Sequence, residues 1–163
     1  MKKIIIIRHA KSSWTDISLT DFERTLDPRG LSDAPMMADR LKSSGYFPEI
    51  IVSSDAVRAK TTAGYFADSF GLQLKIDPKL YHGQSENYLN ALAEMNDQIS
   101  TIALVGHNPG ITHIANLIAP GCTNNIPTCG IIIASSAKNN WSSMSWKDMH
   151  LDVLLFPKNN FDD

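Results

Sequence analysis

Ile4-Ile5-Ile6-Ile7-Arg8-His9-Ala10 is the stretch from which the fold reads outward. A continuous β-branched run suits a strand buried on both faces, because a half-solvated strand alternates apolar with polar residues. Strands of that kind belong to parallel sheets covered by helices. The run ends abruptly at Arg8 and His9, so the carboxyl end of the strand is polar. In open α/β sheets that end is where ligands bind.

The rest of the chain repeats the pattern. Ile50-Ile51-Val52 and Thr101 to Val105 read as two further buried strands. Leu72 to Ile76 alternates, predicting a strand exposed on one face, and Asp77-Pro78 stops it. Gly130 to Ser135 and Val153 to Phe156 read as strands, and Trp141 to Met149 as a further one after a turn at Asn139-Asn140. Helical signals lie between them. Asp27 is placed to N-cap a helix with Pro28 in its first turn, Leu31, Met37, Ala38 and Leu41 on one face, and Gly45 at the left-handed end. Pro35 predicts a kink or a split there.

Ser54 reads as the N-cap of a helix running to Phe70, ended by Gly71. Ser85 to Ile99 carries Tyr88, Leu89, Leu92 and Met95 at helical spacing. Asn108 as N-cap and Pro109 as first helical residue open a helix ending near Pro120-Gly121. Ala10 to Leu26 is polar and aperiodic, a long loop, and Asn159 to Asp163 reads as a frayed tail. Alternating strands and helices predict a three-layer α/β/α fold with a mostly parallel central sheet and helices on both faces. No repeat, low-complexity tract or linker divides the chain, so residues 1–163 read as one domain.

The bulk properties narrow the function. With 163 residues, 43% apolar and 20% charged, the chain has the composition of a globular protein. Its net charge of -2 favours neither nucleic acid nor an anionic membrane, so any anion site must be a local gathering of positive charge. No apolar run reaches the length of a membrane span, and the apolar stretch after Lys3 is too short for a signal peptide. Cys122 and Cys129 make no disulfide framework, and a cytoplasmic protein with reduced thiols is expected. His107 and His113 lack the i, i+4 spacing of a helical metal pair, so no metal is expected.

Three features fall at carboxyl ends of predicted strands: Arg8-His9, then Ser53-Ser54 with Arg58 one turn into the helix, then Gly106-His107-Asn108. Two arginines and two histidines brought together there would make an anion pocket, since a guanidinium fork matches phosphate oxygens two at a time. Helix N-termini near Ser54 and Asn108 would add N–H groups. Each feature alone has a structural reading: a polar strand end, a surface arginine, a histidine held in a turn. Lys11 and Arg24 extend the positive rim or serve as solvated and loop-pinning charges. His82 and His150 read as structural or exposed, and His113 as packing.

Arg8-His9-Ala10-Lys11-Ser12-Ser13-Trp14 resembles the opening motif of the histidine phosphatase superfamily. Asp21-Phe22-Glu23-Arg24, Leu26 and Arg29-Gly30 resemble the second signature of its SixA-type phosphohistidine phosphatase branch. Ser53 to Ala63 resembles the segment carrying that branch's second arginine, and Gly106-His107-Asn108-Pro109 its second histidine turn. Pro127-Thr128-Cys129-Gly130 and Phe156-Pro157-Lys158 resemble the closing segments, so the resemblance spans nearly the whole chain in order. Three departures stand out: Ala10 where many members have glycine, and Thr25 and Asp55 where proline is common.

The resemblance implies a phosphoglycerate-mutase-like fold and a phosphatase that needs neither metal nor cofactor. It implies His9 as nucleophile, with Arg8, Arg58 and His107 binding the phosphoryl oxygens and Lys11 and Arg24 as further binding residues. The implied substrate is a phosphohistidine on a protein, such as a phosphorelay histidine domain. A small phosphomonoester and a phosphate-binding module without turnover are the alternatives. Glu86, and after it Asp21, are the candidates for a general acid, although Glu86 also suits the first turn of a helix.

Overall fold

The computed structural model describes residues 1–158, so the tail expected over 159–163 lies outside the described residues. The isoleucine run forms the middle of β1 (Lys2–Arg8). Its isoleucines are fully buried and divide between two cores, Ile4 and Ile6 facing one side of the sheet and Ile5 and Ile7 the other. β1 pairs in parallel with β4 (Thr101–Gly106) and antiparallel with β5 (Ile131–Ser136). β2 (Ile50–Ser53) and β3 (Leu74–Ile76) extend the parallel side, and β6 (His150–Leu155) pairs antiparallel with β5. The sheet has six strands in the order β3-β2-β4-β1-β5-β6, mixed but mostly parallel.

Helices α1 (Pro28–Ser43) and α2 (Val57–Phe70) cover one face. Helices α3 (Ser85–Ala93) and α4 (Gly110–Ile118) cover the other, with the Trp141–Met149 segment. That segment is not a strand. It carries a short 3-10 turn (Trp146–Asp148) and plugs the core with Trp141, Met144, Trp146 and Met149. Four large apolar residues in nine positions bury themselves without pairing because the Trp141 indole N–H finds the Ile99 carbonyl at 2.8 Å.

Helix α1 begins as expected, with the Asp27 carboxylate accepting the Gly30 N–H at 2.8 Å. Its buried face differs from the expected one: Gly30, Ala34, Met37, Ala38 and Leu41 are buried, whereas Leu31 is 47% exposed. The reason is Gly30. A Cβ there would collide with the backbone carbonyl of Lys11, so the helix lies against the long loop at the one residue without a side chain. Pro35 does not split α1. The carbonyl it leaves unpaired is that of Leu31, on the exposed face where water serves it.

Two helix starts fall later than expected. Helix α2 opens at Val57 rather than after Ser54, because the Ser54 hydroxyl accepts the Ala56 N–H in an intervening turn at 3.2 Å. The Val57 N–H is taken instead by the Phe22 carbonyl of the long loop, at 3.1 Å. Helix α4 opens at Gly110, with Asn108 capping from further out by accepting the Thr112 N–H at 3.0 Å. Helix α3 ends at Ala93 rather than Ile99, where the Asn96 carboxamide accepts the Gln98 N–H at 2.8 Å in a competing turn. Gly71 ends α2 in the left-handed conformation, φ 65, as expected.

Gly30→Ala tests the contact between α1 and the loop. We expect urea unfolding to lose about 1–3 kcal/mol, the range for overpacking; an unchanged midpoint would remove Gly30 as the reason Leu31 faces solvent.

Candidate active site

β1, β2 and β4 end at one edge of the sheet, and antiparallel β5 starts there. The backbone of His9 is pinned on both sides. Its N–H donates to the Gly106 carbonyl and its carbonyl accepts from the Cys129 N–H, both at 3.0 Å. Cys129 adopts φ 60, a left-handed conformation unusual for a residue with a Cβ, and this turn opens β5.

The imidazole of His9 is equally constrained. Nδ1 lies 2.7 Å from the Ala10 carbonyl. A carbonyl only accepts, so Nδ1 carries the proton and Nε2 keeps its lone pair. The Arg58 Nε–H points at that Nε2 from 3.4 Å, and the His107 ring lies 5.1 Å away, centre to centre. His9, Arg58 and His107 are all buried, and Arg8 sits on the strand beside them. The structure thus brings together all four side chains that carried the anion-pocket expectation.

A second layer holds these groups. The Thr62 hydroxyl, fully buried one turn after Arg58, donates to the Arg58 carbonyl at 2.8 Å and accepts the Ala10 N–H at 2.9 Å. It therefore ties the peptide that orients His9 to the helix that carries Arg58. Ser54 Oγ meets His107 Nε2 at 2.8 Å, and the buried Tyr88 hydroxyl accepts the His107 N–H at 3.2 Å. With Ser54 donating, His107 keeps its proton on Nδ1. Arg8 Nη1 donates to the Ile126 carbonyl at 2.8 Å. His107 Nδ1 and Arg8 Nε are buried without a hydrogen-bond partner among the described residues, two donors able to serve an anion.

Asp21 balances the charge. Its carboxylate receives Arg58 Nη2 at 3.0 Å, Arg24 Nη1 at 3.1 Å and the Tyr81 hydroxyl at 2.6 Å, while its carbonyl takes Arg58 Nη1 at 2.6 Å. The Tyr81 hydroxyl, then Arg58 and Arg24, hold this carboxyl far below the usual range. Asp21 is therefore a fixed carboxylate rather than the proton donor it was a candidate for. Burial first, then the neighbouring arginines, lower His9 from 6.5 to about 3, against the bond to Ala10 that raises it. Burial, His9 and Arg58 lower His107 to about 3 as well. Both imidazoles are neutral near pH 7.

The other expected residues stand apart. Lys11 is exposed, and its backbone carbonyl receives the Asp27 N–H at 3.0 Å. Arg24 is buried, and its donors go to the loop: the Ser13 carbonyl at 3.1 Å, Asp21, and the Ser12 hydroxyl. Its guanidinium stacks over Trp14, 3.2 Å from the ring centre, so its geometry is that of the loop-pinning alternative. At each helix N-terminus one N–H goes to an acceptor of the chain's own, Val57 N–H to Phe22 at α2 and Thr112 N–H to Asn108 at α4.

Beside His107 opens a cleft of about 520 Å³ lined by Tyr81, His82, Glu86, Asn108 and His113 among others. His113 faces this cleft, exposed, and is not the packing residue expected. Thr62 had a visible signal, since it lies one helical turn after Arg58 on the same face. Ser54 read as a cap, and nothing local marked Tyr81 or Tyr88.

This sheet, with two guanidinium and two imidazole groups at its carboxyl edge, defines the phosphoglycerate-mutase-like class of α/β fold. The sequence profile of the Histidine phosphatase superfamily (branch 1) matches residues 4–88, just over half of the 163-residue chain, and the chain belongs to that superfamily. An uncharacterised chloroplastic protein of Arabidopsis thaliana is 32% identical over 157 residues, covering 86% of this chain and 69% of its own. An uncharacterised protein of Mycobacterium leprae is 24% identical, covering 93% of this chain and 100% of its own. Among solved structures, SixA from Agrobacterium tumefaciens is similar with a TM-score of 0.82 and 25% identity over 96% of this chain and 99% of that one. The protein histidine phosphatase SixA complexed with tungstate has a TM-score of 0.77 and 22% identity over 95% and 97% of the two chains, a likeness of fold.

Two outcomes are expected. In the unfolded chain His9 and His107 take up protons near 6.5, and in the folded chain near 3. Between those values the unfolded state binds more protons, so stability falls as pH drops through this window. Urea unfolding from pH 6.5 downward should show this slope, and replacing both histidines with Gln should flatten it; an unflattened slope would place the lost protons elsewhere. Thr62→Val should lose the Nδ1–H preference of His9 in long-range nitrogen–proton NMR spectra, and Thr62→Ser should restore it. A wild-type tautomer in Thr62→Val would detach Thr62 from the orientation of His9.

Proposed function

We propose that this protein is a metal-independent phosphatase that forms a phosphohistidine on His9. The observation that carries the reading is the tautomer: Nδ1–H is held by Ala10, so the lone pair of Nε2 faces the guanidinium of Arg58. Nε2 attacks phosphorus in line while the bond to the leaving group breaks. Arg8, Arg58 and His107 hold the three equatorial oxygens, with neutralisation by arginine in the role a metal plays elsewhere. Water then attacks the phosphoryl group on His9 and releases phosphate. Arg24 supports this set through the loop that carries Asp21, and Lys11 lies further out toward the substrate.

The leaving group follows from the acid inventory. Asp21 stays ionised, so it has no proton to give an alkoxide. A phosphorylated imidazole leaves as neutral imidazole when its other nitrogen is protonated, which requires no strong acid. This favours phosphohistidine on a partner protein as the substrate, a phosphorelay histidine domain being one such partner. The unpaired Cys122 and Cys129 fit a cytoplasmic setting. The cleft beside His107 supports a second reading, the same chemistry on a small phosphomonoester with Glu86 as acid, because about 520 Å³ suits a small molecule.

The test is turnover of a phosphohistidine peptide, an aryl phosphate and phosphoserine. His9→Ala should abolish turnover, and Arg58→Ala and His107→Ala should each lower kcat by about 10²–10³-fold. Activity of His9→Ala within a few-fold of wild type would overturn the reading. Rapid phosphoserine hydrolysis lost in Glu86→Gln would select the second substrate class.

A further inference from the structure

We infer that the cleft beside His107 is a leaving-group subsite for neutral or cationic hydrogen-bonding groups, in which Glu86 rejects substrates carrying a second acidic group next to the phosphoryl. This rests on the phosphatase reading and names its specificity. The cleft shares His107 with the reaction centre, so a group attached to the phosphorus and directed that way enters it. Its far walls come from two elements: Tyr81 to Glu86 leading into α3, and Asn108 to His113 opening α4.

The charge of this wall decides what it takes. Neither lysine nor arginine lines it, and its only permanently charged side chain is the exposed carboxylate of Glu86. The nearest arginine, Arg58, lies 5.9 Å from the centre of the Tyr81 ring and is already engaged by Asp21. Two helix N-termini border the cleft and would ordinarily attract an anion. Each is partly served by the chain itself. The Asn87 carboxamide accepts the Gln84 N–H at 2.9 Å, with Glu86 supplying negative charge in that first turn. At α4, Asn108 accepts the Thr112 N–H at 3.0 Å and the His107 carbonyl the Ile111 N–H at 3.1 Å.

A carboxylate or second phosphate placed here would therefore lose its water and gain a like charge. A group with N–H or O–H donors would instead find the Glu86 carboxylate. The rings of Tyr81 and His82, 4.0 Å apart between centres and tilted 39° to each other, offer it an aromatic wall. An imidazole, a guanidine or an uncharged hydroxylated group fits this description. A phosphorylated carboxylic acid or a bisphosphate does not.

Two benzylphosphonates, one bearing a 4-carboxamide and the other a 4-carboxylate, read the cleft without turnover. Calorimetry should show wild type binding the carboxamide more tightly. Glu86→Gln should reduce that preference, and Glu86→Lys should shift the ratio of Kd values toward the carboxylate by on the order of tenfold, as expected for reversing one nearby charge. Binding of the carboxamide itself should stay within about twofold in Glu86→Gln. A ratio that does not change in either variant, or failure of wild type to bind either compound, overturns the inference. Failure of the phosphatase reading looks different: both phosphonates bind with the predicted ratios, while neither a phosphohistidine peptide nor an aryl phosphate nor phosphoserine is hydrolysed.

Discussion

Burial of β1 on both faces is the constraint on which the site depends. Ile4 to Ile7 feed two separate cores, and the strand is paired on both sides by β4 and β5. Each fully buried isoleucine is worth about 1.5–3 kcal/mol, so the run rivals the net stability of a typical domain. The strand cannot slide by one residue, because every isoleucine would change face. Its next two residues are Arg8 and His9, and the same ladder continues through them: Arg8 N–H to Gly130, His9 N–H to Gly106, His9 carbonyl from Cys129. The imidazole is thus placed by a backbone buried on both faces and hydrogen-bonded on both sides, with only its ring angle left to set. The Ala10 carbonyl sets that, and Thr62 sets the Ala10 peptide.

Electrostatics then determines which form each group takes. Burying two imidazoles among arginines keeps them neutral, which leaves His9 Nε2 with a lone pair and His107 able to donate from its buried Nδ1. The guanidinium of Arg58 is buried in the same cluster, and Asp21 reaches it from the loop with both a carboxylate and a carbonyl. A buried charge of this kind is tolerable only when paired and hydrogen-bonded. The long loop is therefore more than a connection. Through Asp21 and Phe22 it holds Arg58 and the first turn of α2, and Arg24 stacked on Trp14 holds the loop itself.

The fold was legible where burial leaves a periodic trace. Ile50 to Val52, Thr101 to Val105 and the first run are continuous because both faces are covered, and Gly71 marked a left-handed end by its chemistry. Errors came where a long-range contact outranked a local rule. Leu31 has the better side chain for a core, but only Gly30 passes under the Lys11 carbonyl. Ser54 is a good N-cap, yet its hydroxyl accepts the Ala56 N–H in a turn before the helix and meets His107. Trp141 to Met149 is apolar enough for a strand, and an indole bonded to Ile99 made it a plug. The four central site residues were legible because each follows a strand. Asp21, Tyr81 and Tyr88 reach the site from loops and helix faces, and no spacing rule connects them to it.

The division between rigid centre and open cleft explains why chemistry and specificity can vary separately here. His9 and His107 follow strand ends and Arg58 lies in the first turn of α2, and all three are buried, so changing them disturbs the sheet edge. The cleft is lined by a surface segment and the first turns of two helices, with His82, Glu86 and His113 all exposed. A substitution there alters charge or shape at little cost to the core, since exposed residues in first turns contribute about 0.3–1 kcal/mol. What the reaction needs from the leaving group is limited by the centre: Asp21 is locked as a carboxylate, so proton supply has to come from the substrate or from the cleft. A leaving imidazole brings its own proton. For an alkoxide the proton would have to come from the exposed carboxyl at the cleft wall, Glu86. On the proposed mechanism, this arrangement suits a labile P–N bond better than a stable alkyl ester.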